Sequence, residues 1–350
     1  MRAVTSSSGN GPADLETLLT PIGKNRFQSD IRRLHTLFGV YATTSPEPLP
    51  APGLIITPEI RTQCELYLPI TQIAAVFNHL YSAALSYPPI LSSTPFHNAS
   101  SWADSFASLP ACFQLSADPA RLLEALLCDG DLMTRFLFAS FLPGRFYGGM
   151  GRYPGQQRFI REWLKTRGTG RMRCLDAACG TGEETYGLAY LLSEQGFSPE
   201  DIQIDGWTLE PLEVWAAAHR SLPHDPVREA MLRELAAALL QRGYGRSITF
   251  RCVDLTKILL YEAVEVAQFD LILCNGLLGG PIIHEKEQLD LAVVNLADLL
   301  APGGILLAAD NFHGGWKQKC PQSELRALLE VHGLKTYEAG EGIGGLKPDK

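Results

Sequence analysis

The stretch CLDAACGTGEETYGLA, residues 174–189, contains the pattern that decides the fold. A short apolar run leads into two glycines, Gly180 and Gly182, and an amphipathic run follows. Glycines let the backbone turn tightly and approach a ligand closely, and a following helix offers free amides and a positive dipole end. The stretch therefore predicts a strand, a ligand-binding turn and a helix. Two adjacent acids, Glu183 and Glu184, stand at the helix entrance, where phosphate would normally bind.

The chain around this stretch alternates between strand-like and helical segments. Apolar runs read RMRCLDAA, IQIDGWTL, SITFRCV, FDLILCN and GGILLAAD, with amphipathic helical runs between them. An extra helix, DPVREAMLRELAAALLQRG, precedes the third strand, and QSELRALLEVHG is a last helix before a short tail. This alternation predicts an α/β fold with a doubly wound, Rossmann-like parallel sheet. Ligands of such sheets bind at the carboxyl ends of the central strands.

The first part of the chain has a different character. Its segments are long, apolar and helically spaced, with proline-rich breaks such as SPEPLPAP at residues 45–52. We therefore predict an all-helical N-terminal domain over residues 1–143 and the α/β domain over residues 144–350. The most apolar stretch, residues 66–87, contains a proline and several polar residues, so we expect a buried helix rather than a membrane span. A helix is also expected from an Asp118 cap to a stop at Gly130.

Composition and charge exclude several classes of function. The net charge is −8 and the pI is about 5.5, which argue against a general nucleic-acid surface. The N-terminus lacks the apolar core of a signal peptide, and none of the eight cysteines forms a CxxC pair. We expect reduced thiols in a cytoplasmic protein, with no metal site and no membrane insertion.

The glycine turn can be tested against its usual ligands. A dinucleotide-binding turn has a third glycine, but Thr185 occupies that position. Two carboxylates at the helix entrance would also repel a pyrophosphate. They suit a ligand that has no phosphate and carries a positive group. S-adenosylmethionine is such a ligand, because it has both an ammonium and a sulfonium.

The same residues carry a family resemblance. LDAACGTGEE resembles the first motif of the class I S-adenosylmethionine-dependent methyltransferases, and AACGTGEETYGLAYLL is similar to the corresponding run of the chemotaxis-receptor glutamate methyltransferases. FDLILCN also resembles a segment of that narrower family, and the resemblance to the class covers about residues 172–333. It implies S-adenosyl-L-methionine as cofactor and methyl transfer as activity.

The resemblance also implies roles for particular residues. Glu183, the first of the paired acids, would contact the methionine ammonium, and Glu210 after the second strand would bind the ribose. Asp254 and the backbone of Leu255 would contact the adenine. Asn275 and Gly276 would lie beside the sulfonium. The complete set of implied cofactor-binding residues is Asp176, Ala178, Gly180, Thr181, Gly182, Glu183, Glu210, Asp254, Leu255, Asn275 and Gly276.

The sequence departs from the receptor-methylating family in three places. The family's Thr-x-Phe-Phe-Arg segment is replaced by a glycine-rich one, in which Arg145 or Arg152 could supply the arginine that reaches the active site. A tyrosine that follows the fourth strand in the family is absent. His284 comes somewhat later and is, with the two arginines, a candidate catalytic residue. The interval between strands two and three is helical where a small receptor-docking sheet is expected. We therefore expect a different methyl acceptor, either a protein carboxylate or a small molecule.

Each assignment has a structural alternative. Glu183 and Glu184 could be favourable first-turn charges, and Glu210 a helix-entry acid. Asp254 could cap a helix that starts at Thr256, and Asn275 could stabilise a left-handed turn. At the level of function, the alternatives are a cofactor-binding protein without catalysis and a nicotinamide-dependent oxidoreductase.

Two further segments are candidates for contact with the acceptor. The glycine-rich loop over residues 144–155 has the composition of a lid that is mobile without ligand and ordered with it. His313 and Trp316 follow the fifth strand, where an acceptor could lie, although ordinary loop packing explains them equally well.

Overall fold

The computed structural model describes residues 14–97, 99–142, 151–168, 170–257, 268–280, 283–309 and 320–349. The chain divides into two compact units. One contains residues 13–146 with residues 222–226, and the other contains residues 147–221 and 227–350. The predicted boundary after residue 143 falls outside the described residues and stays a prediction.

The regular elements in the described residues of the first unit are helices and 3-10 turns, apart from one isolated bridge between Leu19 and Leu85. Short 3-10 turns at Lys24–Phe27, Leu91–Ser93 and Ala111–Phe113 connect its α-helices. The α-helices are α1 (Leu15–Leu18), α2 (Gln28–Thr44), α3 (Pro58–Tyr67), α4 (Ile70–Ala84), α5 (Trp102–Ser108), α6 (Pro119–Cys128) and α7 (Gly130–Phe141).

Helix boundaries in this unit follow local capping. The Asp118 side chain accepts the amide hydrogen of Ala120 at 2.9 Å, as the predicted cap requires. The predicted helix does end before Gly130, since α6 stops at Cys128. The pattern does not predict the second helix, α7, which begins at Gly130. The Asp129 carboxylate caps α7 by accepting from the amides of Asp131 and Leu132, both at 3.0 Å.

The core of the helical unit is aromatic. Helix α4, from the stretch expected to be a buried helix, contributes Phe77 and Tyr81. They pack on Phe96 and Phe136, with ring centroids 4.5 Å apart for Phe77 and Phe96 and 5.9 Å apart for Tyr81 and Phe136. No helix in the described part of the chain combines the length and apolarity needed to cross a membrane.

The second unit is built on a seven-stranded sheet. Its strands are β1 (Met172–Asp176), β2 (Ile202–Thr208), β3 (Ile248–Cys252), β4 (Phe269–Leu273), β5 (Leu300–Ala309), β6 (Lys335–Ala339) and β7 (Gly342–Leu346), in the order β3-β2-β1-β4-β5-β7-β6. The first five strands are parallel and β7 is antiparallel to both neighbours. The helices are α8 (Pro154–Arg167), α9 (Glu183–Glu194), α10 (Pro211–His219), α11 (Pro226–Gln241), α12 (Lys286–Leu299) and α13 (Gln322–Val331).

Helices cover both faces of this sheet. Alternate strand residues such as Cys174, Ile204 and Leu271 pack with α8, α9 and α11, while Leu175 and Ile272 pack with α12 and α13. Residues that alternate along a strand point to opposite faces, so a central parallel strand must be apolar on both. The predicted doubly wound, Rossmann-like α/β fold with a helical N-terminal part is confirmed.

The end of the chain differs from the prediction. The segment after α13 is not a tail but the β6–β7 hairpin, which completes the sheet. Its turn contains Gly340 at φ +64°, and a Cβ there would lie 2.2 Å from the backbone nitrogen of Gln156. Only glycine permits this close approach of the two backbones. The approach places the hairpin turn against the start of α8.

Candidate functional site

The glycine turn joins the carboxyl end of β1 to α9. Gly180 and Gly182 have φ values of +50° and +91°, and α9 begins at Glu183 directly afterwards. A Cβ on Gly182 would lie 3.0 Å from the Cβ of Ala217 and 3.2 Å from the ring of Phe250. Both the backbone conformation and the crowding require glycine here, so the turn presents bare backbone at the helix entrance.

Asp176 and Asn275 lie at the ends of two adjacent strands, β1 and β4. Asp176 is fully buried and accepts a 2.7 Å hydrogen bond from the hydroxyl of Thr185. Asn275 is 6% exposed, and its Oδ1 accepts from the backbone amide of Ala309 at 2.9 Å, which ties β4 to the end of β5. Its Nδ2 donates to Oε1 of Glu184 at 3.1 Å, which links α9 to β4.

Gln156 completes this cluster from α8. Its side chain is 2% exposed and exchanges two hydrogen bonds with the Asn275 amide, of 3.0 and 2.8 Å. Helix α8 is itself fixed by Glu341 of the hairpin turn, whose carboxylate accepts from the amides of Gly155 and Gln156 at 2.7 and 2.8 Å. We call Asp176, Glu184, Asn275 and Gln156 the buried cluster.

Arg152, one of the two predicted arginines, lies at the same place. A Cβ on Gly276 would be 3.7 Å from its Nη1, and its charge acts on Glu184. Arg152 therefore lies beside the carboxyl end of β4, and its catalytic role stays a prediction. Arg145 lies outside the described residues, as do His313, Trp316 and most of the glycine-rich loop, so these predictions stay open.

The acids of the buried cluster hold their protons more tightly than usual. Burial and the neighbouring Asp176 charge raise the pKa of Glu184 to about 8, although Asn275 and Arg152 act against the shift. Burial also raises the pKa of Asp176 to about 6, against hydrogen bonds from Thr185 and the backbone of Ala178. Since desolvation penalises the charged form, a positive group that entered this region would favour ionisation of both acids.

Glu183 faces a different environment. One carboxylate oxygen accepts from the Thr181 hydroxyl at 2.5 Å, and the other pairs with Arg228 of α11. Arg228 also donates to the Thr181 hydroxyl at 2.8 Å. The two adjacent acids are therefore not equivalent, because Glu183 has a cationic partner on α11 and Glu184 lies in the buried cluster.

The predicted adenosine residues occupy the ends of β2 and β3. Glu210 is 6% exposed and caps α10 by accepting the amide hydrogen of Leu212 at 3.2 Å. Asp254 accepts from both the amide and the hydroxyl of Thr256, at 2.9 and 2.6 Å, and pairs with Lys257 at 2.8 Å. Burial would raise the pKa of Asp254, but the bonds from Lys257 and Thr256 lower it. The capping alternative thus holds for Glu210. Asp254 makes capping bonds to Thr256, but a helix that starts there would extend beyond the described residues. Capping can coexist with ligand binding.

Leu255 directly follows Asp254, and His284 lies between β4 and α12. The Leu255 side chain is buried in the core, and its carbonyl accepts from Asn295 at 2.9 Å. The His284 ring contacts the carbonyl of Gly280 at 3.2 Å and the Glu285 carboxylate at 3.3 Å. Its described polar contacts are therefore with its own loop rather than with the buried cluster.

Sequence reasoning missed two residues of this region, Gln156 and Arg228. Each reaches the site across a long sequence separation, 119 residues for Gln156 to Asn275 and 45 residues for Arg228 to Glu183. Gln156 directly follows the Pro-Gly pair that ends the segment interpreted as a loop. Arg228 is one of several arginines in the extra helix, and no local pattern separates it from the others.

About half of the chain is similar to chemotaxis protein methyltransferases. The one from Listeria monocytogenes is 28% identical over 181 residues, which cover 49% of this chain and 64% of the relative. The one from Listeria innocua matches with the same identity and coverage. The chain thus spans less than two thirds of the length of these curated relatives. They confirm the resemblance that the sequence predicts.

Other comparisons add little. No protein-family profile matches the chain. The solved structure of the N-methyltransferase NodS from Bradyrhizobium japonicum, in complex with S-adenosyl-L-homocysteine, is 16% identical with a TM-score of 0.38, over 63% of this chain and 100% of that chain. A similarity of that size carries no argument, so the fold assignment rests on the strand order and the covered faces.

Proposed function

We propose that this chain, which resembles chemotaxis protein methyltransferases over half its length, is an S-adenosylmethionine-dependent methyltransferase. The observation that carries the proposal is the acidic cluster at the carboxyl ends of β1 and β4, beside a glycine turn that exposes its backbone. These strand ends are where ligands of doubly wound sheets bind.

The side chains of this region fit the cofactor better than they fit a dinucleotide. A pyrophosphate would further oppose the ionisation of Asp176 and Glu184, whose pKa values burial already raises. S-adenosylmethionine instead brings an ammonium, which such carboxylates stabilise. The geometry favours Glu184 for this contact, because the Glu183 carboxylate is already paired with Arg228. Glu183 remains the alternative.

Other residues would hold the rest of the cofactor. Glu210 would bind the ribose while it caps α10, since a carboxylate has lone pairs for both tasks. Asp254 and the backbone of Leu255 would border the adenine. Asn275 and Gly276 would lie beside the sulfur, at the place where Arg152 approaches.

The main contribution that the reaction needs from the protein is to position the acceptor relative to the methyl group. S-adenosylmethionine supplies a methyl group already activated on a sulfonium, so the acceptor must be held in line with it. Arg152 would attract and orient an acceptor that carries negative charge, and Gln156 and Asn275 would fix the floor of the site. A carboxylate acceptor needs no general base, whereas a neutral small-molecule acceptor would need one. The acceptor is either a protein carboxylate or a small molecule.

Two measurements test the proposal. Isothermal titration calorimetry should show binding of S-adenosyl-L-homocysteine and no measurable binding of NAD. Binding of NAD alone would contradict the proposed function. Incubation with methyl-labelled S-adenosylmethionine and a cell extract should then transfer label to an acceptor. Cofactor binding without transfer to any acceptor would favour the alternative of a non-catalytic cofactor-binding protein.

A further inference from the structure

We infer that Arg228 is a positioning residue, which cancels the charge of Glu183 so that the glycine turn can accept the carboxylate of the cofactor. This inference rests on the proposed function and assigns a role to a helix that the resemblance does not account for. Arg228 belongs to α11, in the interval where the resemblance implies a small sheet.

The geometry of Arg228 ties two consecutive parts of the turn together. Its Nη2 donates to the Thr181 hydroxyl at 2.8 Å and also pairs with Oε1 of Glu183. Thr181 in turn donates to the second oxygen of Glu183 at 2.5 Å. The side chains of Arg228 and Glu183 are only 18% and 13% exposed, so water screens this pair poorly. One cation thus holds both a side chain of the turn and the first residue of α9.

The charges explain why this cation matters for the ligand. The amino-acid end of S-adenosylmethionine carries a carboxylate as well as an ammonium. A helix entrance with free amides attracts the carboxylate, but the negative charge of Glu183 in the first turn opposes it. Arg228 offsets this charge. Glu184 ionises when the ammonium binds beside it, so the two acids together can receive a zwitterion.

A purely structural brace is the competing explanation for the same contacts. A brace would affect every ligand of the site alike, because it would hold the turn as a whole. Charge cancellation would affect only ligands that possess the carboxylate. The two explanations therefore differ for a ligand that retains the ammonium and the adenosine but lacks the carboxylate.

The experiment compares two ligands by calorimetry, S-adenosyl-L-homocysteine and its decarboxylated form, S-adenosyl-3-thiopropylamine. Arg228→Met should weaken binding of the first roughly tenfold and leave binding of the second within about twofold. Arg228→Lys should restore most of the loss, because it retains the charge. Arg233→Met is the matched control, since Arg233 lies on the same helix and pairs with Glu229 at 2.9 Å.

The double variant Glu183→Gln/Arg228→Met covers the case in which the single variant does not fold. With both charges removed, it should bind S-adenosyl-L-homocysteine more tightly than Arg228→Met does. If Arg228→Met does not fold, the double variant should bind this ligand nearly as well as the wild type does. Equal losses of affinity for both ligands would overturn this inference but not the proposed function. A double variant that binds S-adenosyl-L-homocysteine as weakly as Arg228→Met would do the same. A wild-type protein that binds neither ligand would instead overturn the proposed function.

Discussion

The acidic side chains at the carboxyl ends of the parallel strands are held in two different ways, one in each half of this edge of the sheet. At the ends of β1 and β4, Glu184 and Asn275 are connected across elements, with Gln156 bonded from 119 residues away. At the ends of β2 and β3, Glu210 and Asp254 are held by their own neighbours, two or three residues along the chain. The first half is a tertiary network and the second consists of local caps.

This difference sets the electrostatics of each half. Within the network, burial raises the pKa of Glu184 to about 8, so that a carboxylate without a cationic ligand is costly to ionise. At the caps, bonds from Lys257 and Thr256 lower the pKa of Asp254 against the effect of burial. A cationic ligand therefore gains most in the first half, and variants there should have the largest effects.

The largest expected effect comes from Glu184. Glu184→Gln keeps the shape and the bond to Asn275 but removes the charge, so affinity for S-adenosyl-L-homocysteine should fall roughly tenfold to a hundredfold. Glu183→Gln should change the affinity much less, because that charge is already cancelled. Glu194→Gln at the exposed end of α9 is the control. Equal and small effects of the two substitutions on affinity would indicate that both acids are first-turn charges that contact no ligand.

The second expected effect is a dependence of binding on pH. An ammonium binds the ionised form of Glu184, so affinity should rise with pH towards the pKa of about 8, by up to roughly tenfold per pH unit, and then level off. Glu184→Gln should flatten the profile. A profile that is flat in the wild type as well would show that Glu184 is not the residue that meets the ammonium.

The same ionisation should be visible in the stability of the free protein. The pKa of Glu184 is raised in the folded state, so between about pH 4.5 and pH 8 the unfolded chain releases this proton more readily. Stability contributed by the protonated group is therefore lost as the pH rises through that window. Thermal unfolding of Glu184→Gln should lack this component, and an identical pH profile in both proteins would contradict it.

The sequence predicts the periodic parts of this molecule well. Five parallel strands and their helices follow from alternating apolar runs, which report burial directly. The β6–β7 hairpin escaped prediction because its last strand, Gly342–Leu346, contains three glycines and little apolar pattern. The site divides in the same way. The turn and the strand-end acids are visible in the sequence, whereas Gln156 and Arg228 reach the site only through tertiary packing.

A smaller effect is expected at the glycine turn itself. Gly182→Ala places a Cβ 3.0 Å from Ala217 at a positive φ, and should lower the free energy of unfolding by about 1–3 kcal/mol. Gly196→Ala is the matched comparison, since its φ is +88° but no atom lies within 4 Å of the added Cβ. Denaturant unfolding should show the greater loss for Gly182. Equal losses would mean that crowding by Ala217 and Phe250 contributes nothing.

The smallest effect is expected at the local caps. Asp254→Asn removes the ion pair with the well-exposed Lys257, which water screens, and retains an oxygen for Thr256. Chemical denaturation should detect little change. A loss comparable to that of Gly182→Ala would show that Asp254 belongs to a network rather than to a local cap.

A crystal structure of the protein with S-adenosyl-L-homocysteine tests the central claim most directly. The account predicts the ligand across the carboxyl ends of β1 and β4, with its amino group within hydrogen-bonding distance of Glu184 and its sulfur beside Asn275 and Gly276. The Arg228 pair with Glu183 should remain intact. A ligand bound elsewhere, or one whose amino group meets Glu183 after Arg228 has moved away, would contradict the account.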